Sequence, residues 1–355
     1  MKNDSLWLSV KKVVAWLSGN FGPVFALVLV VAIFGALRPS QFLHPLNLAN
    51  VAGQTAVIAV AAVGMTFIIV SAGIDLSVGS VIALTGVYAT MVMSNIFAMS
   101  TGASPGWVNA SIIIGIPLGL IVGLLTGVVC GFLNGSIITF GKLPPFIVTL
   151  GMLEIVRGTA LWSANGLPVT NLPPGFNSIG NAVLTLSFGS FDIFIPYSLF
   201  ILIPVALAAA FVLKYTVFGV QVYAVGSNEN TARLCGVNVR LVKVMVYMIG
   251  GLLAGLAGIL HASRLNTGQP SEAQGMELDV IAAVVVGGAS LMGGKGTILG
   301  SVIGAFIIRF LRNGCVIVGV SPFTQRILIG LIIIAAVLVD QWRRSLASAR
   351  VKAAE

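Results

Sequence analysis

The sequence has few charged residues and no polar linker between its apolar runs. Charged residues make up 8% of the 355 positions and apolar residues 57%, whereas a soluble globular chain is about a quarter charged and about half apolar. Together with a mean hydropathy of +1.06, this composition excludes an ordinary soluble protein and indicates that lipid surrounds most of the chain. Because no change of composition divides the chain, we expect one membrane domain.

Cysteine and histidine are too sparse for a metal site or a disulfide framework. Cys130 and Cys315 lie in apolar runs and Cys235 in a polar loop, while His44 and His261 have no acid or cysteine at ligand spacing. No set of nucleophile, base and orienting residue is recognisable either. We therefore expect no metal, no bound cofactor and no catalytic activity on this chain.

The net charge of +9 does not indicate nucleic acid as a partner, because the basic residues are not gathered on one solvated face. Most of them lie in segments that are cytoplasmic if the N-terminus is inside, and the positive-inside rule then predicts that both termini are cytoplasmic. These residues are Lys2, Lys11, Lys12, Lys142, Lys214, Arg233, Arg240, Lys243, Lys295, Arg343, Arg344, Arg350 and Lys352.

The apolar runs predict an all-α polytopic membrane protein with about ten crossings, each of about 20 mainly apolar residues and some broken or re-entrant. The predicted crossings are Phe21 to Leu37, Val51 to Ser71, Val78 to Ala98, Ser111 to Leu133, Phe146 to Ala164, Pro196 to Leu213, Val244 to His261, Leu278 to Leu291, Thr297 to Asn313 and Thr324 to Asp340.

We predict three parts along the chain. Residues 1–20 form a cytoplasmic or interfacial segment, with a frayed tail as the alternative, residues 21–341 form the transmembrane domain, and residues 342–355 form a cytoplasmic tail. The longest cytoplasmic loop is 214–243, where a short helix could begin near Ser227 or Asn228. Prolines and glycine predict an irregular outer loop from Asn165 to Ile195.

Glycine recurs every four residues in the fourth crossing, which places these residues along one helix face. Because lipid provides no hydrophobic drive between helices, close packing has to hold them together, and small residues permit it. We predict a helix-packing stripe, with a glycine-lined substrate path as the alternative. The stripe contains Gly115, Gly119, Gly123, Gly127, Gly131 and Gly135.

Polar residues interrupt two apolar runs at Asp75, Ser77 and Ser80. Irregular backbone within a membrane persists only where protein or a water-filled cavity surrounds it, so an ionisable residue there is a candidate for the translocation pathway. The alternative is that Asp75 caps the following helix. Ser77 and Ser80 have the same two interpretations, as pathway residues or as caps and back-bonding hydroxyls.

Two further acids, Glu277 and Asp279, precede the eighth crossing. They suit the positive end of a helix dipole, and contact with a solute or a partner is the other interpretation. In the fifth crossing Glu154 and Arg157 are spaced to pair on one helix face.

The segment from Gly288 to Thr297 contains glycines and Lys295 but lacks the spacing of a phosphate-binding loop, because Gly296 stands where Ser or Thr would hold magnesium. We interpret it as a tight cytoplasmic turn, so the chain should not hydrolyse ATP.

Four stretches in the same order resemble the ribose-type permease family of bacterial ABC importers, which includes permeases for ribose, galactose, xylose, arabinose and autoinducer-2. The resemblance covers nearly the whole chain after the first segment. The four stretches are Ala62 to Ser80, Leu143 to Gly151, Tyr223 to Asn238 and Leu278 to Gly296.

The resemblance implies a permease paired in the bacterial inner membrane, as a homodimer or a related heterodimer. It also implies a separate ATPase that binds ATP and magnesium, and a periplasmic or extracellular sugar-binding protein. The loop around Tyr223 to Asn238 would couple the permease to the ATPase, through the segment that contains Gly226, Ser227, Asn228, Arg233 and Gly236. An ion-coupled secondary transporter built around Asp75 is the alternative.

Overall fold

A computed structural model describes residues 22–100, 105–188 and 191–352 of the chain. The predicted interfacial segment over residues 1–20 lies outside the described residues, and so do residues 353–355 of the predicted tail.

The described part of the chain is mainly helical, with one pair of strands. The helices of the first half are α1 (Gly22–Leu37), α2 (Pro39–Phe42), α3 (Pro45–Val70), α4 (Val78–Met99), α5 (Pro105–Gly141), α6 (Pro145–Ser163) and α7 (Phe176–Asn181). The remaining elements are β1 (Val183–Phe188), β2 (Phe191–Pro196), α8 (Tyr197–Tyr215), α9 (Val217–Ser227), α10 (Glu229–Leu234), α11 (Val239–Leu265), α12 (Met276–Val286), α13 (Ile298–Val318) and α14 (Pro322–Lys352).

Among the described residues, seven helices are long and apolar enough to cross a membrane. They are α3, α4, α5 from Val108, α6, α8, α11 and α13. Helices α1 and α9 and the first part of α14 are apolar but shorter, and α12 has only 11 residues. The chain is therefore a multi-pass membrane protein. Its full number of crossings and the side of its termini remain predictions.

The outer loop is more regular than the sequence predicts. Strands β1 and β2 pair in antiparallel register, from Val183 opposite Pro196 to Phe188 opposite Phe191. The described residues are mainly helical, as predicted, and this hairpin is the departure from an all-α fold. The prediction of an irregular loop from Asn165 to Ile195 is wrong over the two strands. The prolines of the loop all precede the strands, and the strand sequences are rich in the β-branched and aromatic residues that favour sheets.

Helix α3 forms the centre of the molecule. It packs against α11, α13, α12 and α8. Its most apolar stretch of 18 residues is 94% buried inside the protein. Its buried threonines are satisfied: Thr66 Oγ1 donates to the carbonyl oxygen of Ala62 at 2.6 Å and contacts Ser301 Oγ at 2.7 Å. A buried hydroxyl bonded in this way avoids the cost of an unpaired polar group.

The predicted glycine stripe of α5 faces α4 and α11. A side-chain carbon at Gly119 would lie 2.7 Å from the carbonyl oxygen of Ala89, and one at Gly123 would lie 3.0 Å from Ile259. At Gly127 it would overlap the carbonyl oxygen of Gly251, and at Gly131 that of Tyr247. The backbones of α5 and α11 therefore approach too closely for larger residues.

Candidate functional site

The break between α3 and α4 centres on a buried carboxylate. Asp75 is 4% exposed, and its Oδ1 accepts hydrogen bonds from the Ser77 backbone nitrogen at 2.8 Å and from Ser77 Oγ at 2.6 Å. Asn134 Nδ2 of α5 donates in turn to Ser77 Oγ at 2.9 Å. Asp75 lies in the connection between the two helices, and the bonds from Ser77 and Asn134 form one polar cluster around it.

Two helices hold the backbone of the break from the side. The carbonyl oxygen of Ile74 accepts hydrogen bonds from Tyr247 Oη of α11 at 3.1 Å and from Thr149 Oγ1 of α6 at 3.4 Å. Ala72 has a positive φ of 62°, a conformation that non-glycine residues rarely adopt. The segment is thus a built structure with contacts from α5, α6 and α11.

Sequence reasoning missed Asn134 and Tyr247. Asn134 is fully buried and Tyr247 is 1% exposed. Asn134 is a lone amide in an apolar run, and an amide at membrane depth needs a polar partner. That signal could have marked it, whereas no pattern in the sequence connects Tyr247 with Ile74.

Ser80 lies one turn after Ser77 on α4 and is 1% exposed. Its hydroxyl has no hydrogen-bond partner in the part of the chain that the structure describes. The three residues predicted at the break, Asp75, Ser77 and Ser80, therefore lie together.

The predicted acidic pair has two separate environments. Asp279 is 4% exposed, and its Oδ1 accepts a hydrogen bond from Arg312 of α13 at 2.6 Å. Glu277 lies beside the start of α4, where a side chain at Gly79 would overlap its carboxylate. Glu277 therefore belongs to the surroundings of the break, and Asp279 belongs to the α12–α13 contact.

The predicted pair of Glu154 and Arg157 does not form an ion pair among the described residues. Arg157 Nη1 instead donates to the carbonyl oxygens of Pro270 at 2.8 Å and Glu272 at 2.6 Å. The guanidinium thus holds the 266–275 connection, which the sequence spacing of one helix could not reveal.

Helix α10 is a short, largely exposed element that is fastened at its N-terminal end. Asn228 caps it, its Oδ1 accepting from the Thr231 nitrogen at 3.0 Å. Glu229 forms ion pairs with Arg233 at 3.0 Å and with Lys243 of α11 at 2.6 Å. Leu234 at its end is 88% exposed. The five predicted coupling residues lie within the eleven positions from Gly226 to Gly236, with Gly226 buried and the other four exposed.

Gly236 follows α10 with a positive φ of 85°, a conformation that favours glycine. Asn238 then caps α11, its Oδ1 accepting from the Leu241 nitrogen at 3.2 Å. The connection from α10 to α11 is therefore short and ordered.

The connection from Gly288 to Thr297 is a turn between α12 and α13. Its Ser290 nitrogen donates to the Lys295 carbonyl oxygen at 3.0 Å, and its Gly294 nitrogen donates to the Val70 carbonyl oxygen at 2.8 Å. The element directly before it is helix α12 and not a strand, and Lys295 is exposed. The described residues also contain no cluster of three or more His, Cys, Asp or Glu residues that could hold a metal ion.

Helices that span a membrane around a polar break define the class of the protein, a multi-pass membrane protein. Residues 47–337 match the family described as "Branched-chain amino acid transport system / permease component". No solved structure matches the chain.

Several relatives are similar over nearly their whole length. The chain is 42% identical over 330 residues to the ribose import permease protein RbsC of Escherichia coli strain K12, with 92% of this chain and 94% of that protein covered. It is 42% identical over 331 residues to the protein of the same name from Bacillus subtilis strain 168, with 91% and 92% covered. It is 34% identical over 338 residues to the fructose import permease protein FrcC of Rhizobium meliloti, with 92% and 86% covered. The chain belongs to the ribose-type permease family of ABC importers.

Proposed function

We propose that the chain is the permease subunit of an ABC importer that moves a monosaccharide, ribose or another pentose or hexose, across the bacterial inner membrane. The observation that carries this proposal is α10. It is a capped, doubly ion-paired helix of six residues that exposes Leu234, in a chain whose candidate membrane spans are apolar. A short rigid helix of this kind fits a groove of an ATPase and follows its closure as a rigid body.

The sugar substrate is supported by the names of the relatives, which include ribose and fructose import permeases. The family description mentions branched-chain amino acids, but the relatives cited above are named for sugars. A monosaccharide therefore has stronger support than an amino acid.

In the proposed mechanism two copies of the permease, identical or related, pair in the lipid bilayer. A loaded sugar-binding protein docks outside, and a separate ATPase binds ATP and magnesium inside. ATP closes the ATPase and opens the permease pair outward, and hydrolysis returns it to the inward state. Asp75, Ser77 and Ser80 with Glu277 form the candidate pathway segment, and Asp279 stabilises the helices beside it.

Uptake of labelled monosaccharides into proteoliposomes tests the proposal. The vesicles contain the chain, its ATPase and its binding protein, and uptake is measured with and without ATP and a protonophore. We expect uptake that requires ATP and ignores the protonophore. Uptake by the chain alone, abolished by the protonophore, would contradict the proposal and support an ion-coupled transporter built around Asp75.

A further inference from the structure

Three backbone segments meet closely at the break, with only the Cβ atoms of Ala72 and Ser227 among the contacts at its glycines. They are Val70–Ala72 at the end of α3, Gly226–Ser227 at the end of α9, and Gly293–Gly294 in the turn before α13, and we name them the glycine junction. The Gly294 nitrogen donates to the Val70 carbonyl oxygen at 2.8 Å. The junction thus joins the end of α9, directly before α10, to the start of the α3–α4 connection and to the turn between α12 and α13.

The approach at the junction is close enough to exclude a side chain at its glycines. A side-chain carbon at Gly226 would overlap the carbonyl oxygen of Val70, and one at Gly293 would lie 2.7 Å from Ala72 Cβ. One at Gly294 would lie 3.1 Å from Ser227 Cα. Protein interiors at this density do not deform gradually, so a displacement of one segment is passed on to its neighbours.

A tyrosine fastens α9 to the turn. Tyr223 Oη donates to the carbonyl oxygen of Gly296 at 2.6 Å, and Tyr223 lies one helical turn before Gly226. On the far side of the break, Tyr247 Oη donates to the carbonyl oxygen of Ile74. The path from α10 to Asp75 therefore consists of backbone contacts and two tyrosine hydrogen bonds.

We propose that the glycine junction, held by Tyr223, transmits the movement of α10 to the break that contains Asp75. Tyr223 is a positioning residue because it acts through the backbone of Gly296 and not on the sugar. This inference rests on the proposed function. It adds that the Gly288 to Thr297 turn, which does not fit a phosphate site, is the structural partner of the coupling segment.

The test replaces Tyr223 with phenylalanine, which removes only the hydroxyl. The matched control is Tyr215→Phe, because Tyr215 is 68% exposed at the end of α8 and its hydroxyl has no hydrogen bond among the described residues. The complete importer is reconstituted in proteoliposomes for each variant. Three quantities are measured: co-purification of the ATPase, the ATP hydrolysis rate with loaded binding protein, and the sugar uptake.

For Tyr223→Phe we expect normal co-purification and continued ATP hydrolysis, with uptake per ATP lower by about five-fold, the factor that one hydrogen bond of ordinary strength provides. Tyr215→Phe should match the wild type. Unchanged uptake per ATP in Tyr223→Phe, or uptake and hydrolysis that fall in proportion, would overturn the inference. If the wild type itself shows no ATP-dependent uptake, the proposed function fails as well.

Discussion

Asp75 and Ser77 determine the shape of the break at the scale of single residues. The Oδ1 atom of Asp75 accepts both hydrogen bonds from Ser77, and an uncharged oxygen can accept the same bonds. A substitution that keeps this acceptor oxygen but removes the charge therefore tests the two properties separately. Such a test distinguishes a carboxylate that only shapes the backbone from one that binds and releases a cation during transport.

We expect Asp75→Asn to retain most of the uptake, because the amide oxygen can replace Oδ1. Asp75→Ala leaves the buried donors of Ser77 unpaired, which costs about 1–3 kcal/mol of stability. Uptake and the melting temperature of the purified permease measure the two effects. If Asp75→Asn folds normally and yet abolishes uptake, the charge itself is required and the structural role is rejected.

The approach of α5 to α11 sets the second prediction, at the scale of elements. Gly127→Ala would press a methyl group against Gly251 and Gly255, and overpacking of this kind costs about 1–3 kcal/mol. We expect a lower melting temperature in detergent. The matched control is Gly158→Ala in α6, where nothing lies within 4 Å and alanine should favour the helix. Equal stability of the two variants would show that the stripe tolerates side chains.

Capping of α10 sets the third prediction. Asn228→Ala removes the acceptor for the Thr231 nitrogen, and loss of such a cap costs about 1 kcal/mol of helix stability. We expect weaker co-purification of the ATPase with this variant. Asn228→Asp keeps the acceptor and should restore the interaction. If Asn228→Ala binds the ATPase as well as the wild type does, the helix does not need its cap for docking.

The sequence predicted the elements whose signal is local. The apolar runs located the long helices, and the polar residues around Asn228 predicted α10 together with its cap. It failed where the decisive contact is distant in the chain, as between Tyr247 and Ile74 or between Gly294 and Val70. It also failed at Val183–Phe188, because the strand forms only by pairing with Phe191–Pro196, whereas the prolines that predict an irregular loop all precede it.

Orientation in the membrane is a property of the whole molecule, and the native cysteines report it. Cys235 is exposed beside α10, whereas Cys130 and Cys315 are buried. A membrane-impermeant maleimide should therefore label Cys235 in inside-out vesicles and not in right-side-out ones, if the coupling segment is cytoplasmic.

Cys235→Ser is the control for this labelling and should remove nearly all of it. Labelling of Cys235 from the outer side would reverse the predicted orientation and would also place both predicted termini outside.

The central position of α3 has a consequence for how the protein is made. Helix α3 ends at Val70, yet α11, which packs against it, begins only at Val239. At translation rates of about 5–20 residues per second, α3 waits on the order of ten seconds for this neighbour. During that interval the small side chains of α3 face lipid or the insertion machinery, and the nascent chain lacks Tyr247 to hold its break. The half-synthesised permease therefore exposes the faces of α3 that the finished fold buries.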